Sequence, residues 1–224
     1  MSEHYDFIVI GSGPAGKRAA VQSAKLDKRV LVVERGKKVG GVSVHTGTIP
    51  SKTLRETALN LSGLRERAFY GSGYRAQKNV TAEDLKLRLM KTLGYEVEVL
   101  ENQFARNRIE TLVGRASFTG PNEIAVQTDE DTTFVSADRF MIAVGTKPFR
   151  PDDVPLDGAA IIDSDEVLDL KHLPRSMIVV GAGVISVEYA TIFQALDVQV
   201  TLAEPRDEFL TFSTKTSSNI SRPG

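Results

Sequence analysis

Apolar residues fall into three patterns along the chain, and each predicts a different element. The first is the short unbroken run. Phe7-Ile8-Val9-Ile10, Arg29-Val30-Leu31-Val32-Val33-Glu34 and Met177-Ile178-Val179-Val180 read as strands. The runs at 7–10 and 177–180 carry the continuous apolar signature of strands buried on both faces of a parallel sheet. The second pattern has a helical period. Between 82 and 107, Leu85, Leu89, Leu93, Val97, Leu100 and Phe104 advance by three or four residues along one face of a long helix. Thr81, with Asp84 three residues on, is its expected N-terminal cap. A small-residue helix extends to about Leu26, and a further helix over 50–65 opens at Pro50-Ser51. The third pattern is strand chemistry broken by turn residues. Thr111–Phe118, a Gly120-Pro121-Asn122 turn, Ile124–Gln127, Thr132–Val135 and Phe140–Val144 predict a β-meander over 111–136 and a closing strand. Residues 146–176 hold four prolines and read as a connection.

Two of the strands run into glycine turns that repeat. Gly11-Ser12-Gly13-Pro14-Ala15-Gly16 is followed by a helix, a strand and Glu34. Gly181-Ala182-Gly183-Val184-Ile185-Ser186 is followed by a helix to about Leu196, the strand Val198–Leu202 and Glu204. Gly11, Gly13, Gly16 and Glu34 thus recur as Gly181, Gly183, Ser186 and Glu204, all at an offset of 170 residues. Dinucleotide chemistry accounts for the spacing. The first Gly makes the tight turn, the second admits a pyrophosphate to the backbone, and the third lets helix and strand pack closely. The helix N-terminus offers N–H groups and a positive dipole end to phosphates. The acid ends the second strand, where it can accept hydrogen bonds from a ribose diol. Plain βαβ units with glycine turns are the alternative. It has more room at the second turn, where Ser186 replaces the third Gly.

Composition narrows the class. The chain has 224 residues, 28 Lys and Arg against 29 Asp and Glu, 41% hydrophobic and 25% charged residues, and no Cys. These proportions fit a soluble globular protein of one large domain, or one and a half. Near-zero net charge argues against general binding to nucleic acid or anionic membrane. No apolar run reaches the roughly 18–20 residues that span a bilayer. The N-terminus passes straight into a strand without a targeting pattern, so the expected location is the cytoplasm. Without Cys there is no thiol catalysis, thiolate metal site or dithiol redox chemistry. His4 and His172 read as surface residues, and His45 as a solvent-facing loop residue.

The segment Gly40-Gly41-Val42-Ser43-Val44-His45-Thr46-Gly47-Thr48-Ile49-Pro50-Ser51-Lys52 resembles the active-site helix start of the flavoprotein disulfide reductases. Those proteins carry Cys-x4-Cys where this chain has Ser43 and Thr48. Gly47–Glu56, Asp163-Ser164-Asp165, Gly181–Ile185 and Glu188-Tyr189-Ala190 are similar to the soluble, Si-specific pyridine nucleotide transhydrogenases of the same superfamily, which lack the disulfide. The resemblance covers about 5–212. It implies an α/β, Rossmann-like FAD/NAD(P)-binding fold, three-layered, with a parallel sheet, a β-meander and an incomplete second Rossmann unit. Residues 1–147 would form the FAD-binding domain and 148–212 part of an NAD(P)-binding domain, while 213–224, polar and without an apolar period, read as a disordered tail.

By the same resemblance, Gly11, Gly13, Pro14, Ala15, Gly16, Glu34 and Arg35 would hold the ADP half of FAD. Gly40, Gly41, Val42, Ser43 and Lys52 would approach the flavin. Arg115 and Ala116, after Gly114, would lie beside the adenine, and Ala143 and Gly145 belong to the strand end typical of these flavoproteins. Gly181, Gly183, Val184, Ile185, Glu204 and Arg206 would take NAD(P)H. Lys52 and Glu188, paired in related reductases, are the catalytic candidates. Without sulfur, electrons reaching the flavin must pass to a second nicotinamide or a diffusible acceptor. The first outcome is transhydrogenation between NADPH and NAD⁺. Glu204 favours an unmodified ribose, and Arg206 could accept a 2′-phosphate. The family's oligomerising C-terminal domain and Gly-Asp flavin motif have no counterpart here. The expectation is therefore a truncated chain with little or no turnover, a nucleotide-binding fragment.

Overall fold

A computed structural model describes residues 3–71 and 80–206. The expected tail at 213–224 lies outside the described residues. In chain order the elements are β1 (Glu3–Ile10), α1 (Pro14–Ala24), β2 (Val30–Glu34), α2 (Gly41–His45), α3 (Thr48–Ser62), α4 (Arg67–Tyr70), α5 (Ala82–Arg106), β3 (Glu110–Val113), β4 (Arg115–Gly120), β5 (Glu123–Gln127), β6 (Thr132–Ile142), β7 (Ser176–Val180), α6 (Val184–Ala195) and β8 (Gln199–Ala203). They group into two compact units. One comprises 1–50 and 91–149, the other 51–90 and 150–224.

The first unit is built on a six-stranded sheet in the order β3-β2-β1-β6-β5-β4. Its central pairs β3–β2, β2–β1 and β1–β6 are parallel, and β6–β5 and β5–β4 are antiparallel. Alternate residues of β1 serve opposite faces, as the pleat requires. Val9 packs with Val30 and Val32 against Ala20 and Val21 of α1 and Val97, Leu100 and Phe104 of α5. Ile8 packs on the other side with Leu31, Val33, Ile124, Val126 and Val135. The fold is α/β with a mostly parallel central sheet.

Several boundaries differ from the sequence reading. The expected strand Thr111–Phe118 is two strands, because the chain turns at Gly114. A Cβ there would lie 2.7 Å from both the Gln127 carbonyl and Val126, so β3 joins β2 in parallel while β4 pairs with β5. The expected strands 132–135 and 140–144 are one, β6, because Ser136–Arg139 pair with β1. The meander is thus β4–β5–β6. Helix α3 opens at Thr48, two residues before Pro50. Pro50 sits in the first turn, where its missing N–H has no intrahelical partner to lose, and it is fully buried. Its preceding loop contains α2, which the pattern did not predict.

The expected cap of α5 is present as a capping box. Thr81 donates through its N–H and hydroxyl to Asp84, and the Asp84 N–H donates to Thr81 Oγ1.

In the second unit, β7 and β8 are parallel neighbours joined by α6. Leu54, Ala58, Leu85, Val167, Tyr189, Ile192, Phe193 and Val198 form its core. Met177 and Val200 pack against that core, but Ile178 and Val180 are 72% and 79% exposed. The expectation that β7 is buried on both faces is therefore corrected. Among the described residues only one face of this two-stranded sheet has a covering layer. Arg150 fastens the connection by donating to Asp163 and Glu166. Burial pushes the Asp163 carboxyl up, but N–H groups of Glu166 and Asp165 and the Arg150 guanidinium outweigh it and hold it below its ordinary value. No helix among the described residues is long and apolar enough to cross a membrane.

Candidate functional site

The 170-residue repeat holds in the hydrogen bonds. The Gly11 N–H donates to the Val33 carbonyl at 2.8 Å, and the Gly181 N–H to the Ala203 carbonyl at 2.7 Å. Both glycines have φ near +100°, at 103° and 99°, a conformation costly for residues with a Cβ. The Ser12 N–H donates to Glu34 Oε2 at 2.9 Å, as the Ala182 N–H does to Glu204 Oε2 at 2.8 Å. The Gly36 N–H and the Arg206 N–H donate to the other carboxylate oxygens, at 2.8 and 3.0 Å. Even the helix exits match, with Asp27 and Asp197 at φ 58° and 64°.

In the first unit this geometry forms an open cradle. A Cβ on Gly16 would lie 1.9 Å from the Gly11 carbonyl oxygen, so α1 presses directly on the turn. A Cβ on Gly13 would meet nothing within 4 Å. Gly13 is the N-cap of α1, no side chain caps that end, and Pro14 opens the helix. Ala15 and Gly16 complete the turn. A pyrophosphate fits such a site: space above Gly13, a positive helix end, and an acid at the end of β2.

The neighbouring candidates cluster around this turn. The Ala143 N–H donates to the Ile10 carbonyl, and its own carbonyl lies beneath Gly11. Gly145, at φ 67°, follows at the exposed strand end. The Gly114 N–H donates to the Glu34 carbonyl at 2.8 Å, which sets Arg115 and Ala116 at the end of β2. Gly41 abuts Gly13, with a Cβ on Gly41 falling 2.9 Å from Gly13 Cα. Ser43 Oγ donates to the Gly40 carbonyl. Arg35 and Val42 are exposed. His45 does not face solvent as its loop position suggested. It is half-buried, and its Nε2–H donates to the Val39 carbonyl at 3.0 Å, because α2 folds the loop back on itself.

In the second unit, Gly183 is the uncapped N-terminus of α6, with Val184 and Ile185 exposed in its first turn. A Cβ on Gly181 would meet only Ser186 Oγ, at 3.4 Å. Ser186 is thus accommodated by a wider turn. Arg206 is occupied by the neighbouring acid. Its Nε donates to Glu204 Oε1 at 2.8 Å and its Nη2 to Oε2 at 2.9 Å. The Arg206 guanidinium and the N–H groups of Arg206 and Ala182 hold the Glu204 carboxyl down at about 2. Lys52 stands exposed on α3 and Glu188 half-buried on α6. No ion pair joins them among the described residues. Next to Glu188, the Tyr189 hydroxyl is buried without a hydrogen-bond partner among the described residues. Burial and the Glu188 and Asp165 carboxylates push it up to about 12.

Ser12, Gly36 and the Gly114 N–H make contacts at the turn that no motif names. Two of these act through backbone groups, which carry no residue signature. Ser12 had one signal, a hydroxyl where the second repeat has Ala182.

Known proteins are similar to this chain. The soluble pyridine nucleotide transhydrogenase of Mycobacterium tuberculosis is 51% identical over 210 residues, 93% of this chain and 45% of that protein. The protein of the same description from Colwellia psychrerythraea is 38% identical over 219 residues, covering 97% and 47%. The HOCl-induced flavoprotein disulfide reductase RclA of Escherichia coli, solved as a Cu(II) complex, superposes with a TM-score of 0.80 at 25% identity, covering 98% of this chain and 46% of that one. The chain thus spans about 45% of the length of these relatives. Residues 5–222 match the family model described as pyridine nucleotide-disulphide oxidoreductase, and the chain belongs to that family.

Proposed function

We propose that this chain carries the FAD-binding unit and the coenzyme-facing turn of an enzyme that catalyses NADPH + NAD⁺ ⇌ NADP⁺ + NADH without a redox disulfide. The observation that supports this most is the pair of acid-and-turn arrangements with matching hydrogen bonds, at Glu34 and at Glu204. FAD, when bound, supplies the ring that accepts a hydride from one nicotinamide and returns it to another.

The residues of the chain bind and orient. Glu34 has spare lone pairs for a ribose diol, while Gly13 and the α1 N-terminus receive the pyrophosphate. Arg115 and Ala116 flank the adenine, and Gly40 to Ser43, Ala143 and Gly145 serve the flavin end. Gly181, Gly183 and the α6 N-terminus receive the coenzyme phosphates. At Glu204 the ribose diol of NAD⁺ can share the carboxylate with Arg206. For NADPH, Arg206 leaves Glu204 and takes the 2′-phosphate, offsetting the repulsion between two anions. One site then serves both coenzymes in turn. Lys52 and Glu188 pair when the nicotinamide is seated. With Ser43 and Thr48 in place of a Cys pair, no sulfur competes for electrons.

A second reading, a nucleotide-binding fragment or a diaphorase that passes electrons to a diffusible acceptor, is favoured by the single covering layer on β7–β8. The visible spectrum separates the readings. Flavin bands near about 370 and 450 nm, bleached by NADPH and followed by reduction of thio-NAD⁺, support transhydrogenation. A chain that binds FAD without bleaching is a fragment, and one that reduces only a quinone is a diaphorase.

A further inference from the structure

Ser12 occupies an unspecified position of its glycine turn, yet it is 1% exposed. Its hydroxyl makes two hydrogen bonds of opposite sense. It accepts the Gly40 N–H at 2.8 Å, and it donates to Glu34 Oε2 in a short contact. The sense is forced, because an N–H can only donate and an ionised carboxylate can only accept. The Ser12 N–H reaches the same carboxylate oxygen. Three segments therefore meet at one side chain: the β1–α1 turn, the end of β2 and the Gly40–Gly41 turn.

The repeat separates what the hydroxyl adds from what the backbone supplies. In the second unit Ala182 has no hydroxyl, and its N–H alone secures Glu204. The acid–turn contact thus forms without a serine. What the Ser12 hydroxyl adds is a second bond to the acid and the bond from Gly40, and Gly41 rests on Gly13. Charge-assisted hydrogen bonds in buried networks are stronger than neutral ones and couple their members.

We propose that Ser12 is a positioning residue that couples the two ends of one dinucleotide site. It ties the acid for the adenosine ribose to the turn on the flavin side, so that occupation of one end sets the other. The inference rests on the reading of the first unit as an FAD site.

The test compares FAD with ADP, which reaches only the adenosine end, on the full chain. Ser12→Ala should weaken FAD about tenfold and ADP no more than about threefold, because ADP does not draw on the coupling. Ser12→Cys, which keeps the volume and lacks a strong donor, should behave alike and guards against a folding defect. In a Glu34→Gln background, the FAD penalty of Ser12→Ala should shrink, as expected for members of one network. Equal losses for FAD and ADP, with a matching fall in apo-protein stability, would reduce Ser12 to a structural role and overturn the proposal. An unchanged FAD affinity would overturn it too. Failure of the unsubstituted chain to bind FAD would instead remove the reading beneath it, and the proposal with it.

Discussion

Gly16→Ala isolates the closest contact in the first turn. The added methyl would stand 1.9 Å from the Gly11 carbonyl oxygen and 3.0 Å from Val9 Cγ1. The oxygen is backbone and cannot rotate away. Reaching even 3.0 Å requires the start of α1 to retreat by about 1.1 Å. That end of α1 leads into Ala20 and Val21, both buried against β1 and β2. A radial gap of 0.5–1 Å forfeits roughly a quarter to a half of the dispersion energy of the atoms lining it. Overpacking against a backbone atom that cannot give way falls at or above the top of its usual range, at about 3–4 kcal/mol. Alanine's helix propensity returns about 1 kcal/mol. The net loss of about 2–3 kcal/mol corresponds to a fall in Tm of about 5–10 °C.

Two controls accompany it. Ser186→Ala, at the wider second turn, should shift stability by less than about 0.5 kcal/mol. Gly13→Ala should cost much less stability than Gly16→Ala, about 1 kcal/mol at most for replacing a glycine N-cap, since its methyl meets nothing within 4 Å, but should obstruct a pyrophosphate and weaken FAD at least tenfold. Thermal melts of the three apo variants, with FAD titrations, provide the measurement. If Gly16→Ala melts with the parent, the packing argument is refuted.

Glu34→Ala should weaken FAD by about 1–3 kcal/mol, the range for hydrogen bonds to a charged group, and unchanged affinity by titration would count against the ribose assignment. The Glu204–Arg206 pair should confer acid sensitivity. A carboxyl depressed from 4.5 to about 2 contributes stability that is present above pH 4.5 and is lost as pH falls toward 2. Arg206→Gln should therefore flatten the fall in denaturation midpoint between these pH values, and a parent-like profile would contradict the pairing. Tyr189→Phe should raise stability by about 1 kcal/mol, by removing an unpartnered buried hydroxyl. A loss of stability on urea denaturation would reveal a partner for that group.

The periodic and motif-bearing parts of the fold were legible in the sequence. The α5 stripe of Leu85, Leu89, Val97, Leu100 and Phe104 is the buried face of that helix, and both glycine turns stand where their spacing put them. Legibility failed where tertiary contacts overrode local pattern. Ser136-Ala137-Asp138-Arg139 has little strand propensity, but pairing with β1 recruits it into β6. Ile178 and Val180 look like core, and their exposure depends on what else packs in space, which a local pattern does not encode. At the candidate site, the glycines and acids were readable because motif chemistry names side chains. The Gly36 and Gly114 N–H donors were not, since every residue type but proline supplies one.

The place of β1 in its sheet also governs when the first unit can form. Ile8 pairs with Leu31 on one side and with Phe140 on the other. The first partner is synthesised almost at once, and the second only after the whole of α5 and most of the meander. Until then the central strand of the finished sheet is an edge strand, with Phe7, Val9 and Ile10 open to pairing with any passing strand. Closing so distant a pair is entropically slow and leaves such species prone to aggregate. The yield of soluble chain should therefore respond to translation rate, temperature and chaperone supply more than to the stability of the folded state.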